Sequence, residues 1–420
     1  MTFKRIYPIL LIVFTNLLGA GVILPVLPIY AVGQMGATAQ QAALLGTAFF
    51  AAQFLSAPWL GRLSDQYGRR PVLLVSQLGT VLSFVLFIVA GPVGLWLDGL
   101  GINFGVTGGL VMLFVARILD GLTGGNITAA RAYLSDVTGP EERASSMGYL
   151  SAAFGAGFTF GPVFGGLLGT YGPVVPFIGA AIITAGTFLL TFFTLDESHP
   201  PESRGVANAQ ETERLPLRQI FSNRPLFLVI LTGFLGTVAF AAIPPTFALY
   251  VDQVVFADVV DRATIPRNIG LMFAFLGVAT VLTQAVFYRP LVKWLRERKM
   301  IVFGQIIFML SVLSIGFITN PILLTLMMAP FALGRGVTDP TLQALVTRFG
   351  DEKAQGQMLG LFQSVISLAM IFGPVWAGWI YQNIGPSETY IASGLLVSGG
   401  IFTSLLLLRE RSLDVVPQAT

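Results

Sequence analysis

The chain has 420 residues, of which 54% are hydrophobic and only 11% charged, with a mean hydropathy of +0.78 and a formal net charge of +3. Soluble domains carry roughly 25% charged residues, so a water-soluble fold is excluded, and the lack of cysteine excludes disulfides and thiolate metal sites. The basic residues sit in short stretches between apolar blocks, which assigns them to membrane topology and not to nucleic-acid binding.

The apolar blocks reach about 20 residues, the length that crosses a hydrocarbon core. In chain order they predict twelve spans, at 6–31, 39–60, 71–91, 107–134, 144–168, 174–194, 223–250, 268–288, 300–318, 322–346, 355–381 and 388–408. The first follows Lys4 and Arg5, and it is longer than the 7–15 apolar residues of a signal peptide, so an uncleaved first span is expected. Between spans 6 and 7 lies a polar, proline-containing stretch with the single His199, read as solvated, and a short interfacial helix around Leu215–Phe221. The expected organisation is a six-span bundle over 1–194, a cytoplasmic linker over 195–222, a second six-span bundle over 223–409 and a cytoplasmic tail over 410–420. The fold class is all-α, polytopic and membrane-embedded.

The halves echo each other. One constant offset places Gly148 on Gly360, Gly161 and Pro162 on Gly373 and Pro374, and Gly166 on Gly378. Duplicated bundles are the architecture of transporters that rock about a midplane site. With both termini in the cytoplasm, Arg262 and Arg267 alone among the basic loop residues lie outside. The opposite orientation violates the positive-inside rule.

Between spans 2 and 3 the chain reads Gly61-Arg-Leu-Ser-Asp65-Gln-Tyr-Gly68-Arg69-Arg70. This turn resembles the loop that joins helices 2 and 3 in the major facilitator superfamily, with Gln66 departing at one arginine position. The resemblance implies that Asp65 caps or pairs across the bundle interface when the cytoplasmic side is closed, and that Arg69 meets Asp136 at the inner end of span 4. Span 5 carries Gly148, Gly157, Gly161, Pro162, Gly165 and Gly166. That series is similar to the glycine signature of the superfamily's proton-coupled drug antiporters. Physically it offers a groove to a neighbouring helix, with Pro162 bending the span. Span 1, Asn16 to Pro28, resembles that of tetracycline and multidrug antiporters. Those proteins place an aspartate where this chain has Asn16, so coupling here requires another carboxylate.

Ionisable residues inside a span are costly and therefore functional candidates. Span 4 carries Arg117 and Asp120, three apart and on one face. By resemblance Arg117 matches the arginine that antiporters use in proton transfer, which makes Asp120 the candidate proton carrier. Span 10 carries Arg335 and Asp339, four apart, for which proton coupling, substrate contact and structural pairing stay open. Candidate substrate contacts are Asn16, Gln53, Asn126, Phe240, Gln284, Arg335 and Gln363, with Phe49, Phe50, Pro244, Pro245 and Trp376 also placed on pathway-lining spans. Such an apolar, aromatic cavity suits lipophilic solutes better than sugars.

No phosphate-cradling loop and no metal-ligand spacing occur in the sequence, so neither an enzyme nor a cofactor is expected. The expectation is a secondary transporter of the cytoplasmic (inner) membrane, exchanging a small lipophilic substrate for protons. It is expected to act as a monomer in the lipid bilayer, without nucleic acid. A metabolite carrier of the same fold, for sugars, amino acids or lysolipids, is the alternative.

Overall fold

The computed structural model describes residues 2–101, 105–124, 126–198, 218, 222–349 and 354–409, and statements of absence below concern these. His199, the tail and almost all of the expected linker and interfacial helix lie outside the described residues.

Hydropathy dictates the elements and local chemistry sets their ends. Spans 1, 2 and 3 are Thr2–Met35, Ala39–Tyr67 and Arg69–Gly99. Thr38 and Gln41 form a reciprocal capping box at the start of span 2. A single residue, Gly68, reverses the chain between spans 2 and 3 at φ 105°, a conformation that a side chain makes costly. Span 4 consists of Gly108–Thr123 and Asn126–Val137 with an interruption at Gly124; spans 5 and 6 are Pro140–Gly169 and Val175–Thr194.

Span 7 runs as Arg224–Ala241 and Ile243–Tyr250, then ends in a π-helical turn, Val251–Val255. Its start is tied to span 10, because Asn223 caps Leu226 and donates to the Phe349 carbonyl at 2.9 Å. Spans 10, 11 and 12 are Pro321–Phe349, Gln355–Asn383 and Pro386–Arg409.

Spans 8 and 9 run on from one another, and the division between them falls inside the 289–299 gap that the hydropathy reading leaves. Eleven continuous helical stretches are long and apolar enough to cross a membrane, and one of them, Arg262–Ile315, has 54 residues. At 1.5 Å per residue it would be about 80 Å long, against a hydrocarbon core of about 30 Å. The break lies at Arg296, with φ 58° and ψ 160°, and it divides the stretch into spans 8 and 9. Twelve membrane helices result.

Their packing shows two six-helix bundles that meet at one end. Near the Gly61–Arg70 turn, each bundle has its own apolar core. One gathers Ile6, Ile9, Leu60, Leu73, Leu134 and Leu150; the other gathers Leu226, Ile301, Leu345, Val346 and Phe362. At the far end a single core joins both bundles, from Val22, Leu45 and Phe87 to Phe247, Ile269, Phe331 and Tyr381. Large apolar side chains such as Trp59, Trp96, Ile182, Phe193, Phe317 and Phe402 cover the outer face, as lipid contact requires.

The far-end seal is made by small residues. On span 11, Gly378 abuts Gln40 and Ala43 of span 2. There Gln382 also accepts from the Ala39 N–H at 3.0 Å, and Thr47 donates to the Ile371 carbonyl at 3.1 Å. Span 8 meets span 5 at Gly270, Gly277, Thr159 and Gly166. At the turn end the matching glycines, Gly61, Gly148, Gly155, Gly356 and Gly360, have nothing within 4 Å of an added Cβ. The molecule is therefore a V, closed far from the turn and open towards it.

Because the chain contains no cysteine, single cysteines report on this shape directly. Gly148→Cys and Gly360→Cys are expected to react with a water-soluble maleimide at least about tenfold faster than Ala43→Cys. Equal rates contradict the V.

Candidate functional site

The turn is held by charge within the first bundle. Arg69 bridges Asp65 through Nη1 at 2.5 Å and Asp136 through Nε at 3.1 Å, with Nη1 also on Ser64 Oγ at 3.1 Å. The structure thus brings Arg69 and Asp136 together, while Asp65 pairs inside its own bundle. In this open state the described residues show no Asp65 partner across the interface. Arg70 donates to the Phe192 carbonyl at 2.6 Å and lies 5.7 Å from the Phe192 ring centroid.

Glu197 completes the turn. Its two carboxylate oxygens accept the backbone N–H groups of Arg69 at 2.8 Å and Arg70 at 3.2 Å. An anion at a helix N-terminus satisfies orphan donors and opposes the helix dipole. In sequence Glu197 is one more charge in a polar stretch, so nothing local marks this role. Ser198 adds a bond to Asp136 Oδ2 at 3.2 Å, tying the end of span 6 to span 4.

The span 5 glycines use two faces. Added Cβ atoms at Gly157, Gly161 and Gly165 would lie 2.5 to 2.6 Å from the carbonyl oxygens of Phe14, Leu18 and Val22 on span 1. The other face carries Gly166, set against the Pro266 carbonyl and Gly270, and the Pro162 carbonyl faces Gly270. Gly148 lies apart, in the open half. Span 5 is thus the plate on which span 1 of its own bundle and span 8 of the other both rest, backbone to backbone.

In span 4, Arg117 and Asp120 form an ion pair at 3.4 Å, each side chain 11% exposed. Arg117 also donates to the Leu45 carbonyl at 3.3 Å and lies 4.3 Å from the Phe49 ring centroid. Thr80 donates to Asp120 Oδ1 at 3.1 Å. Both carboxylate oxygens are thereby engaged, and the pair is clamped between spans 2, 3 and 4. Gly121 permits this closeness, since a Cβ there would strike the Phe49 carbonyl and Ala52. Thr80 is a site residue that sequence reasoning missed, because only the packing of span 3 on span 4 brings it there.

In span 10, Arg335 pairs with Asp339 at 2.9 Å. The Arg335 guanidinium lies 4.8 Å from the Phe240 centroid and 5.6 Å from that of Phe308. Phe240 is therefore occupied by a protein cation, which weighs against the free substrate contact expected from the sequence.

The other candidates scatter. Asn16 is buried, and its Oδ1 has no partner among the described residues. Gln53 donates to the Gly124 carbonyl at 3.3 Å, so it holds the interruption of span 4 in place. Gln284 is exposed on the π-helical turn Thr283–Phe287 of span 8, and Gln363 is exposed on span 11. Phe49 and Phe50 stack edge to face, and Trp376 has a buried Nε1 without a partner among the described residues. Asn126 opens the second segment of span 4, and its side chain lies outside the described residues.

Removing the Glu197 charge is expected to loosen the turn without touching the cavity. Glu197→Gln should lower thermal stability by about 0.3–2 kcal/mol, measured by unfolding of the purified protein. An unchanged melting curve contradicts the capping role.

Comparison with known proteins agrees with this architecture. The family model of the Major Facilitator Superfamily matches residues 9–263 and again 260–419. The class D tetracycline resistance protein of Salmonella ordonez is 30% identical over 96% of both chains. Multidrug resistance protein 2 of Bacillus subtilis (strain 168) is 28% identical over 90% of this chain and 89% of its own. A solved bacterial homolog of the human lysosomal transporter Spinster, in an inward-facing and occupied conformation, superposes with a TM-score of 0.70 at 14% identity. That superposition covers 99% of this chain and 98% of the other. Twelve helices in two bundles, the charged turn after span 2 and the doubled match along the chain lead to one conclusion: the protein belongs to the Major Facilitator Superfamily.

Proposed function

We propose that the protein is a proton-coupled antiporter that exports lipophilic or amphipathic drugs from the cytoplasm by alternating access. The observation that carries this reading is a single titratable carboxylate, Asp120, sealed in the first bundle beside a cavity open at one end. The positive-inside rule places the turn and both termini in the cytoplasm, so the V opens inward in the cytoplasmic membrane. The tetracycline and multidrug resistance relatives, which align over 90% or more of this chain, support drug export.

The mechanism follows from charge and packing. As a carboxylate, Asp120 is held by Arg117 and Thr80 in a site where an unpaired charge is costly. A proton arriving from the far side neutralises it and weakens its hold on Arg117, which still has the Leu45 carbonyl and the Phe49 ring as partners. That change lies where spans 2, 3 and 4 meet, and spans 2 and 3 run from there to the Gly61–Arg70 turn that joins their inner ends. Drug binding in the inward cavity favours loss of the proton to the cytoplasm and closure of the turn end. Closure of the turn end brings Asp65 to the second bundle, while the span 5–span 8 and span 2–span 11 contacts part and release drug outside. Substrate and proton thus occupy the carrier in alternation, which is exchange. Two groups of this chain divide the work: Asp120 carries the proton and the turn latches the inner gate.

Proteoliposomes loaded with acidic buffer and diluted into alkaline buffer test this. The outward proton gradient should drive uptake of a fluorescent amphiphile, and a protonophore should abolish it. Asp120→Asn is expected to remove gradient-driven uptake by at least about tenfold while exchange of substrate for substrate persists. Uptake with undiminished pH dependence in Asp120→Asn contradicts the assignment.

A further inference from the structure

The coupling scheme uses one membrane-embedded ion pair and leaves the other, Arg335 with Asp339, without a role. Its geometry differs from the first in one respect that matters. Asp120 is 11% exposed and has both carboxylate oxygens engaged. Asp339 is 42% exposed, and its one bond joins Oδ2 to Arg335; no donor meets Oδ1 among the described residues.

The exposed side of Asp339 does not face lipid. On span 10 the outward face is marked by Ile322, Leu323 and Leu326, all large and exposed. Thirteen residues separate Leu326 from Asp339, which at about 100° per residue sets Asp339 about 140° round the helix. It therefore points inward, and the half of span 10 that bears it lies towards the open mouth of the V.

Arg335 is fixed where it is. It is 14% exposed, its guanidinium is flanked by Phe240 and Phe308, and those two rings are braced by Phe331 at 6.2 and 5.2 Å. Gly236 leaves the room for this arrangement: an added Cβ would lie 3.0 Å from Gln305 Nε2 and 3.4 Å from Arg335 Nη1. A caged, screened cation bonded to a half-exposed carboxylate presents its negative end to the cavity.

We propose that Asp339 is the residue that reads substrate charge, its free oxygen anchoring a lipophilic cation in the aromatic cavity. This rests on the drug-transporter reading above and adds to it a substrate class and a division of labour. Arg335 is then a positioning residue that holds the carboxylate in one rotamer. An incoming cation adds to Oδ1 without displacing Arg335 from Oδ2, whereas a lipophilic anion meets the carboxylate and finds the guanidinium covered.

Binding to the purified full-length protein tests this with two ions of the same shape and opposite charge, tetraphenylphosphonium and tetraphenylborate, and with neutral Nile red. The wild type should bind the phosphonium at least about tenfold more tightly than the borate. Asp339→Asn should erase that preference and leave Nile red affinity unchanged, Asp339→Glu should restore it, and Asp120→Asn should retain it. A wild type that favours the borate, or shows no charge preference, overturns the proposal. So does an Asp339→Asn protein that keeps phosphonium affinity or loses both probes in equal proportion. If proton-driven uptake of Nile red accompanies any of these results, the antiporter reading stands and only the role of Asp339 falls. A wild type that binds none of the probes overturns both.

Discussion

The structure depends on how closely the backbones of spans 1, 5 and 8 approach one another. In lipid there is no hydrophobic force between helices, so association rests on van der Waals packing of surfaces that fit. Glycines on two faces of span 5 supply that fit, one face on the carbonyls of span 1 and the other on Pro266 and Gly270 of span 8. The first contact lies within a bundle and must persist. The second lies between bundles and must break whenever the far end opens. A seal made of small surfaces in register suits a contact that forms and parts repeatedly, because no large side chain has to leave a pocket. The division of the apolar core has the same meaning: one core spans both bundles where they touch, and two separate cores lie where they do not.

Charge is placed where it works against this packing. The Arg69 network and Glu197 hold the turn within the first bundle while the partner bundle is away, so the latch proposed for the inner end is already assembled before the V closes. Arg117 and Asp120 are nearly dry and fully engaged, an arrangement that makes protonation a structural event. Arg335 and Asp339 have the same chemistry in a wetter setting, and exposure, not residue type, separates what each pair can do. In the proposed scheme the sealed carboxylate takes the proton and the open one meets what enters the cavity.

Much of this was legible in the chain because membranes impose strong local signals. Length and hydropathy gave the number of spans, and glycine, proline and charge spacing in the turn and in span 5 gave the superfamily. The parts that were not legible are tertiary. The long stretch from Arg262 to Ile315 breaks at Arg296, inside the basic gap expected between spans 8 and 9, yet no glycine or proline there marks the residue itself. The hydropathy limits missed the interruption of span 4 at Gly124 and the π-helical turns of spans 7 and 8, since polarity barely changes there. Thr80 and Glu197 look like ordinary polar residues until packing sets them against Asp120 and the start of span 3. Gln53 and Phe240, chosen as cavity residues by composition, turn out to serve the protein itself.

The central claim is that one seal opens as the other closes. Pairs of spin labels on engineered cysteines measure it most directly, one pair across the turn end at Gly148 and Gly360, the other across the far end on the loops before spans 2 and 12. As pH rises on the reconstituted protein, the far-end distance should lengthen and the turn-end distance should shorten with a common midpoint. Asp120→Asn should hold one distribution at every pH. Distances that stay fixed, or that change independently of each other, contradict the account.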